Sequence, residues 1–489
     1  MSFLSDYPHL KIIQDIARRK KVSIHIVGGF LRDYFLESLR GPRPHQTGLR
    51  DFDFAVERDA LRISRLFADQ IKGAHIVLDK DRGCARVAKK DQGRLWTFDF
   101  ADFRAKTFRG DLARRDFTIN TLSVDLAALD SSCEVLDAIV DTKKGLKDLK
   151  DRWIRKISNQ AFKDDPLRMM RAFSLSAGLG FKIERDTLRQ IKKEKDRIRG
   201  MSAERIRDEL FKILRTNRAA ATLKSMDKIG LLEEIIPQMR VMYDCQQGGY
   251  HHLDVWAHSL ETVVQMEGIF TQMRDNQELK SYWEEFLGAD RSRAALLKLA
   301  ALLHDIGKPE TRKKEGERMT FHAHERVGRN IVTHIAKRLK LSTRERHALE
   351  DMVLWHLRPG YLSNFKKPSE KAIYRYFRDT KVEAAGVFLL SLADQRSTRG
   401  PLTTEEDQRH HESICLDLIQ RYFDQRKEKP LVRLINGDDL IRKLKLKPSP
   451  LFAKILLGVA EKQVLGQIGT RDEALALAKK IAKNLLSPC

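Results

Sequence analysis

The 489 residues contain only five cysteines, Cys84, Cys133, Cys245, Cys415 and Cys489. They are scattered, show no CxxC spacing and leave one over in any disulfide scheme, so a reducing, cytoplasmic setting is the simpler expectation. Long apolar runs are also missing: none approaches the ~20 residues that a membrane span requires. The opening MSFLSDYPHLKIIQDIARRKK lacks the basic-then-apolar order of a secretory leader, and no membrane partner is expected. Acidic residues are in short supply, 68 against 92 lysines and arginines, which leaves a net charge of +24 and a pI near 9.8. That imbalance suggests a polyanionic partner, RNA or DNA, although a basic surface can also simply be solvated. The chain exceeds the size at which single cores stop growing, so several domains are expected; oligomeric state is not legible.

Residues 24–57, IHIVGGFLRDYFLESLRGPRPHQTGLRDFDFAVE, read as strand, glycine turn, helix, loop and strand. Gly28 and Gly29 allow a ligand close to the backbone, and the N-terminus of a helix starting near Leu31 favours negative charge. In the second strand Asp51 and Asp53 lie two residues apart, so both carboxylates share a face while Phe52 and Phe54 take the other. Adjacent acids repel unless a cation lies between them, and Mg2+ is the natural candidate, being a hard ion that shares oxygen ligands with phosphates. A polar strand edge is the ordinary alternative for a lone DxD.

Strands continue at 74–79, 84–90 and 95–103, with a lead-in helix over 5–20. Asp99 in the last strand could bring a third carboxylate to the pair; Asp102 is three residues on and should face away. In RGDLARRDFTINTLSVDL the residues Arg114, Arg115 and Asp116 are expected at a helix start, where guanidinium forks hold phosphates and an acid accepts from a ribose hydroxyl. An ion-pair cluster is the ordinary reading. In KDDPLRMMRAFSLSAGLGF a helix is expected with Pro166 in its first turn, placing Asp165 and Arg168 on one face where they could meet a base edge. Helix capping and ion pairing remain the alternatives.

Taken in order, Gly28-Gly29, Arg32-Asp33 and Asp51-Phe52-Asp53 resemble the nucleotidyltransferase core of the class II tRNA nucleotidyltransferase and bacterial poly(A) polymerase family. The resemblance covers roughly residues 20–240. It implies that Arg32 and Arg115 hold phosphates, that Arg115, Asp116 and Asn120 bind the sugar and phosphates, and that Asp165 and Arg168 read CTP and ATP, with Arg171 facing the phosphates or a neighbouring helix. Residues 40–50, RGPRPHQTGLR, depart from the pattern as a long basic loop, either an RNA contact or a neutral insertion.

Histidines then concentrate. LLKLAALLHDIGKPETR reads as an apolar helix ending in His304-Asp305, a step costly to bury without a ligand or partners. With His258 and Asp394 it would make a four-ligand site for a divalent transition metal. The stretch resembles the HD phosphohydrolase domain, in which further ligands of two-metal members fall at His324 and His356; His322 could replace His324. That resemblance implies hydrolysis of cyclic phosphates, 2′-phosphates or damaged 3′ ends by a metal-activated water. Residues 405–489 are expected as helices, with starts after Asn436 and the Pro448–Ser449–Pro450 turn, serving either as an RNA contact or as a solvated pair.

The expected fold class is α+β: a mixed-sheet head over 1–145, a helical neck over 146–245, an HD domain over 246–400 and a helical tail over 401–489. The expected activity is template-independent addition of CCA to tRNA 3′ ends from CTP and ATP, with Asp51, Asp53 and Asp99 catalytic. Poly(A), A-only or CC-only addition is the alternative, and an HD hydrolase with an RNA-binding head is the alternative of another class.

Overall fold

The computed structural model describes residues 3–39, 51–91, 93–129, 135–248, 252–316, 318–428 and 431–486. The 40–50 loop lies outside the described residues. Two compact units are present, residues 1–218 with 224–235, and residues 219–223 with 236–489.

The first unit is built on a six-stranded mixed sheet, in the order β3-β4-β5-β2-β1-β6. The strands are β1 (Ile24–Val27), β2 (Asp51–Val56), β3 (Ala74–Asp79), β4 (Cys84–Asp91), β5 (Arg94–Asp102) and β6 (Ser123–Asp125). β2 and β5 run parallel in a register that pairs Phe52 with Phe98, Asp53 with Asp99 and Phe54 with Phe100. Strand alternation therefore sends every phenylalanine to one face and the acids to the other. The rings stack, Phe52 on Phe98 at 5.6 Å and Phe54 on Phe100 at 4.8 Å, and Phe67 of the helix below meets Phe98 edge-on at 5.0 Å. Each such buried ring contributes about 1.5–3 kcal/mol, and this apolar floor holds the acidic face rigid.

Helices α1 (Pro8–Lys20), α2 (Gly29–Ser38) and α3 (Ala60–Ile71) pack on the sheet. α1 begins with proline in its first turn and buries Leu10, Ile13, Ile16 and Ala17 along one stripe. The helical part of this unit includes α4 (Arg168–Leu179), closed by Gly180 in the left-handed region, and α5 (Ala203–Leu214).

Two local expectations are corrected. The segment at 163–181 is not one helix: a short turn, Ala161–Asp164, is followed by Asp165 in extended backbone (φ −150°, ψ 101°) before α4 begins. Pro166 is the cause, because its ring disfavours helical geometry in the preceding residue. Arg114, Arg115 and Asp116 do not open a helix either; they follow the helix Phe108–Leu112 and precede a single turn, Thr118–Asn120. There the Asp116 carboxylate accepts the Phe117 amide at 2.8 Å, a local bond that competes with helix continuation.

The second unit is helical apart from two short hairpins among the described residues. Its helices include α6 (Val255–Gln272), α7 (Arg293–Leu303), α8 (His324–Arg338), α9 (Thr343–Trp355), α10 (Arg358–Ser363), α11 (Ala384–Ser397) and α12 (Glu405–Lys427). α7 and α11 are apolar nearly all round, so they run through the core. The last helices, α13 (Leu451–Val464) and α14 (Arg471–Leu486), share a core of their own with Ile435, Leu440, Ile455, Val459, Ala474 and Ala478. The expected starts are observed: Asn436 caps the helix Gly437–Arg442 and Pro450 precedes α13. Among the described residues no helix is long and apolar enough to cross a membrane.

Candidate active site and metal centre

β2 presents Asp51 and Asp53 on its open face, as its alternation requires, and the parallel register sets Asp99 directly beside Asp53. Thr97 donates to Asp51 from the neighbouring strand. Loss of water in the crowded site pushes the Asp53 carboxyl up and the charge of Asp99 pushes the same way, while Arg115, Arg171 and the Gly29 amide pull it down. A cation is therefore favoured beside this pair, and the donor set is all carboxylate oxygen, which suits a hard divalent ion. Asp99 is engaged differently: Arg86 grips it with two parallel bonds of 2.7 Å, so both of its oxygens are occupied. Asp102 lies on the far side, where it accepts the Ala60 amide at 2.8 Å.

Gly28 sits at φ +81°, and a Cβ placed on it would come within 2.8 Å of an Asp53 carboxylate oxygen. Only glycine accommodates both that backbone angle and that approach. Just beyond it, Arg32 holds Asp33 at 2.7 and 2.9 Å and donates to Asn120 at 2.9 Å. Asn120 passes the contact on to Asp116 at 3.0 Å, and Arg171 reaches the other Asp116 oxygen at 3.3 Å. Arg115 lies on Asp111 at 3.0 Å. The tertiary structure thus gathers Gly28, Gly29, Arg32, Arg115, Asp116, Asn120 and Arg171 about the Asp51–Asp53 face.

Asp165 and Arg168 are not side by side on one helical face. The Asp165 carboxylate pairs with Arg205 of α5 at 2.8 Å. The buried Arg168 guanidinium donates instead to the carbonyls of Arg114, Arg115 and Ala161 at 2.7, 3.0 and 3.2 Å, fastening the α4 start to the Arg114–Asp116 turn.

In the second unit, five elements converge. His258 of α6 lies 2.9 Å from Asp394 of α11; His304, just past α7, lies 3.2 Å from Asp305 and 3.6 Å from Asp394. His324, opening α8, is 3.3 Å from Asp305, and His356, just past α9, is 3.7 Å from the same carboxylate oxygen. Two three-residue groups result, His258–His304–Asp305 and Asp305–His324–His356, joined through Asp305. His322 is well exposed and, among the described residues, reaches only Glu315 at 3.9 Å, so the geometry selects His324. Each ring is oriented from behind: the Nδ1 atoms of His304, His324 and His356 meet the carbonyls of Ala301, Phe321 and Val353 at 2.6–2.9 Å, and that of His258 meets Ser397 at 3.1 Å. In the neutral ring a proton on Nδ1 leaves the Nε2 lone pair aimed at the centre, the arrangement by which metal-binding histidines are held.

Burial pushes Asp305 and Asp394 up, but His304 with Lys308 for the first, and His258 with His304 for the second, outweigh it and hold both well below the usual range. Burial pulls His304 down, yet the two carboxylates raise it to about 10. His304 Nε2 is fully buried and makes no hydrogen bond among the described atoms, its neighbours there being the Asp305 and Asp394 carboxylates. Unsatisfied buried polar atoms are costly, and divalent metal ions fit this histidine–carboxylate set.

Comparison with known proteins matches the stretches of chain in which both candidate centres lie. Residues 24–155 match the Poly A polymerase head domain, 180–242 the probable RNA and SrmB-binding site of polymerase A, and 255–422 the HD domain. The A-adding tRNA nucleotidyltransferase of Deinococcus radiodurans is 30% identical over 466 residues, covering 94% of this chain and 95% of its own. This chain belongs to the tRNA nucleotidyltransferase family. The CC-adding tRNA nucleotidyltransferase of Thermus thermophilus is 27% identical, with 92% of each chain covered. The Thermotoga maritima CCA-adding enzyme, solved with tRNA, shares the fold with a TM-score of 0.58 at 20% identity, over 97% of this chain and 94% of that one.

For this tRNA nucleotidyltransferase, sequence reading missed Arg86, Arg205 and Lys308. Lys308 forms an ion pair with Asp305 at 2.7 Å and donates to Gln247 at 2.6 Å, placing a cation beside the shared carboxylate. It lies three residues after Asp305, one turn on, and that spacing was the available signal. Arg86 carried no signal until the β4–β5 register set it opposite Asp99.

Proposed function

We propose that this chain adds nucleotides from CTP and ATP to the 3′ hydroxyl of tRNA without a template, completing CCA, in its head and neck, and hydrolyses phosphate esters at RNA ends in its HD unit. The fourfold division at residues 145, 245 and 400 belongs to this reading, which carries no membrane partner and a cytoplasmic setting.

The observation that carries it is the Asp51–Asp53 face ringed by the Gly28–Arg32–Asn120–Asp116–Arg171 network. Asp51 and Asp53 would hold Mg2+, which supplies charge neutralisation of the triphosphate and activation of the attacking oxygen. Arg32, Arg115 and Arg171 bind the phosphates as guanidinium forks, the Asp116–Asn120 pair orients the ribose, and Gly28 with Gly29 lets the nucleotide approach the main chain. Asp99, held by Arg86, completes the acidic face and fixes the guanidinium at its edge. Asp165 and Arg168 select the base, exchanging their present partners, Arg205 and three carbonyls, for donors and acceptors of cytosine or adenine.

In the HD unit, His258, His304, Asp305 and Asp394, with His324 and His356, would hold one or two divalent transition-metal ions, which supply a water of lowered pKa. The backing carbonyls keep the imidazoles aimed inward, and Lys308 balances the charge of Asp305.

Incorporation of labelled CTP and ATP, separately and together, on tRNA ending before CCA and after CC, tests the first activity. Two C and one A followed by a stop is the expected result. The second reading, A-only addition, is favoured by the 30% match to an A-adding relative over nearly the whole chain. It predicts a product only on tRNA already ending in CC. No incorporation on either tRNA overturns both.

A further inference from the structure

A cleft of about 440 Å³ in the second unit is lined by residues of α8, the end of α9, and α10. Its wall includes Glu325, Arg326 and Arg329 of α8, Trp355 at the end of α9, and Arg358 and Tyr361 of α10. None of these residues belongs to the metal centre, but two are its chain neighbours. Glu325 follows His324 and Trp355 precedes His356, so the wall begins about 3.8 Å of main chain from two candidate ligands.

The chemistry of the wall is specific. Three guanidinium groups face one carboxylate. Arg358 is tied down, 3.0 Å from Asp379 and 5.1 Å from the centre of the Trp355 ring. The other two are available: among the described residues Arg326, 79% exposed, pairs only with Glu325 at 3.9 Å, and Arg329 makes no ion pair, acting on Asp351 at longer range. Arg326 and Arg329 are three apart on α8 and so project from neighbouring positions on one side. Opposite them Tyr361 is 59% exposed and Trp355 half-buried, two aromatic faces where solvent reaches. Basic forks beside exposed rings bind a nucleotide, the rings taking any base by stacking and the forks its phosphate. A cleft of a few hundred Å³ accommodates a ligand of that size.

We propose that this cleft binds one nucleotide of a single-stranded RNA end, with the base on Trp355 and Tyr361 and the phosphate between Arg326 and Arg329. The proposal deepens, and rests on, the reading of the HD unit as a hydrolase of RNA ends. The cleft holds the nucleotide next to the one presented to the metal centre and sets the affinity for RNA over free phosphate.

The test uses the full chain carrying Asp305→Asn, so that no turnover occurs, and a five-nucleotide RNA ending in a 2′,3′-cyclic phosphate. Binding is followed by tryptophan emission, and the part of the signal lost in Trp355→Phe reports the cleft alone, independently of RNA bound elsewhere on the chain. A saturable Trp355-dependent quench is expected. Tyr361→Ala weakens it about tenfold. The double variant R326E/R329E removes the hold on that one phosphate, so the slope of log K against log salt falls by about 0.7 as well. Arg326→Glu alone, on an exposed side chain, serves if the double variant melts early. No Trp355-dependent quench, an affinity unchanged by charge reversal, or competition by inorganic phosphate equal to that by RNA would overturn the cleft as a nucleotide site. Hydrolysis of the same RNA by the metal-loaded chain is scored separately. A quench without hydrolysis removes the hydrolase reading and retains the cleft; hydrolysis without the quench does the reverse.

Discussion

At the scale of single residues, Asn120 links the two halves of the head network, donating to Asp116 and accepting from Arg32. Asn120→Ala leaves a buried carboxylate short of a donor and should lower the stability of the first unit by about 1–3 kcal/mol, read by urea unfolding, and raise KM for the nucleotide. Burial pushes the Asp116 carboxyl up, but Arg171, Asn120 and the Phe117 amide outweigh it and bring it below the usual range. The stabilisation is therefore complete above an unfolded value of about 4 and is lost as pH falls through the lower folded value. In Asn120→Ala that acid transition should move to higher pH, visible in unfolding curves taken across pH 2 to about 5. Asp53→Asn should abolish nucleotide addition by a factor of about a thousand or more while tRNA binding, measured by filter retention, stays within about twofold. Retained addition would remove Asp53 from the metal-binding set.

At the scale of elements, the β1–α2 turn and the α4 start carry the site. Gly28→Ala introduces a Cβ 2.8 Å from an Asp53 oxygen at φ +81°, with a cost of about 1–2 kcal/mol in stability and a disproportionate loss in kcat. A variant that lost stability and activity in step, by thermal melt and incorporation rate, would mean that the turn only supports the fold. Pro166→Ala releases the constraint that keeps Asp165 out of α4, and should change the ratio of kcat/KM for CTP to that for ATP more than either value for tRNA. Much of this scale was legible beforehand. The Asp51/Phe52/Asp53/Phe54 alternation needs nothing but strand geometry, and the helix starts at Asn436 and Pro450 follow from local capping chemistry. The Asp165–Arg168 pairing was misjudged because residue spacing is a guide only within one helix, and Pro166 ends that condition.

At the scale of the whole molecule, two centres lie in separate compact units. His304→Ala should abolish hydrolysis of RNA-end phosphates and leave CTP and ATP incorporation within about twofold, since its contacts lie wholly within the second unit. Chelation followed by Mg2+ alone should restore addition before hydrolysis, because a histidine-rich set prefers transition metals to magnesium. Equal loss of both activities in His304→Ala would mean that the two centres depend on one another.

The sequence by itself determined the α+β class, the acidic pair, the glycine turn and the His304-Asp305 step, because each depends on contacts within a few residues or on the period of one element. Only the tertiary structure decided the rest. Arg86 came to Asp99 through a β4–β5 register, and His324 was chosen over His322 because α8 begins at residue 324 and turns that ring inward. Arg168 was bound to carbonyls more than fifty residues away in the chain. Those outcomes depend on how elements distant in sequence pack, and no local periodicity encodes which side chain will meet which across that distance.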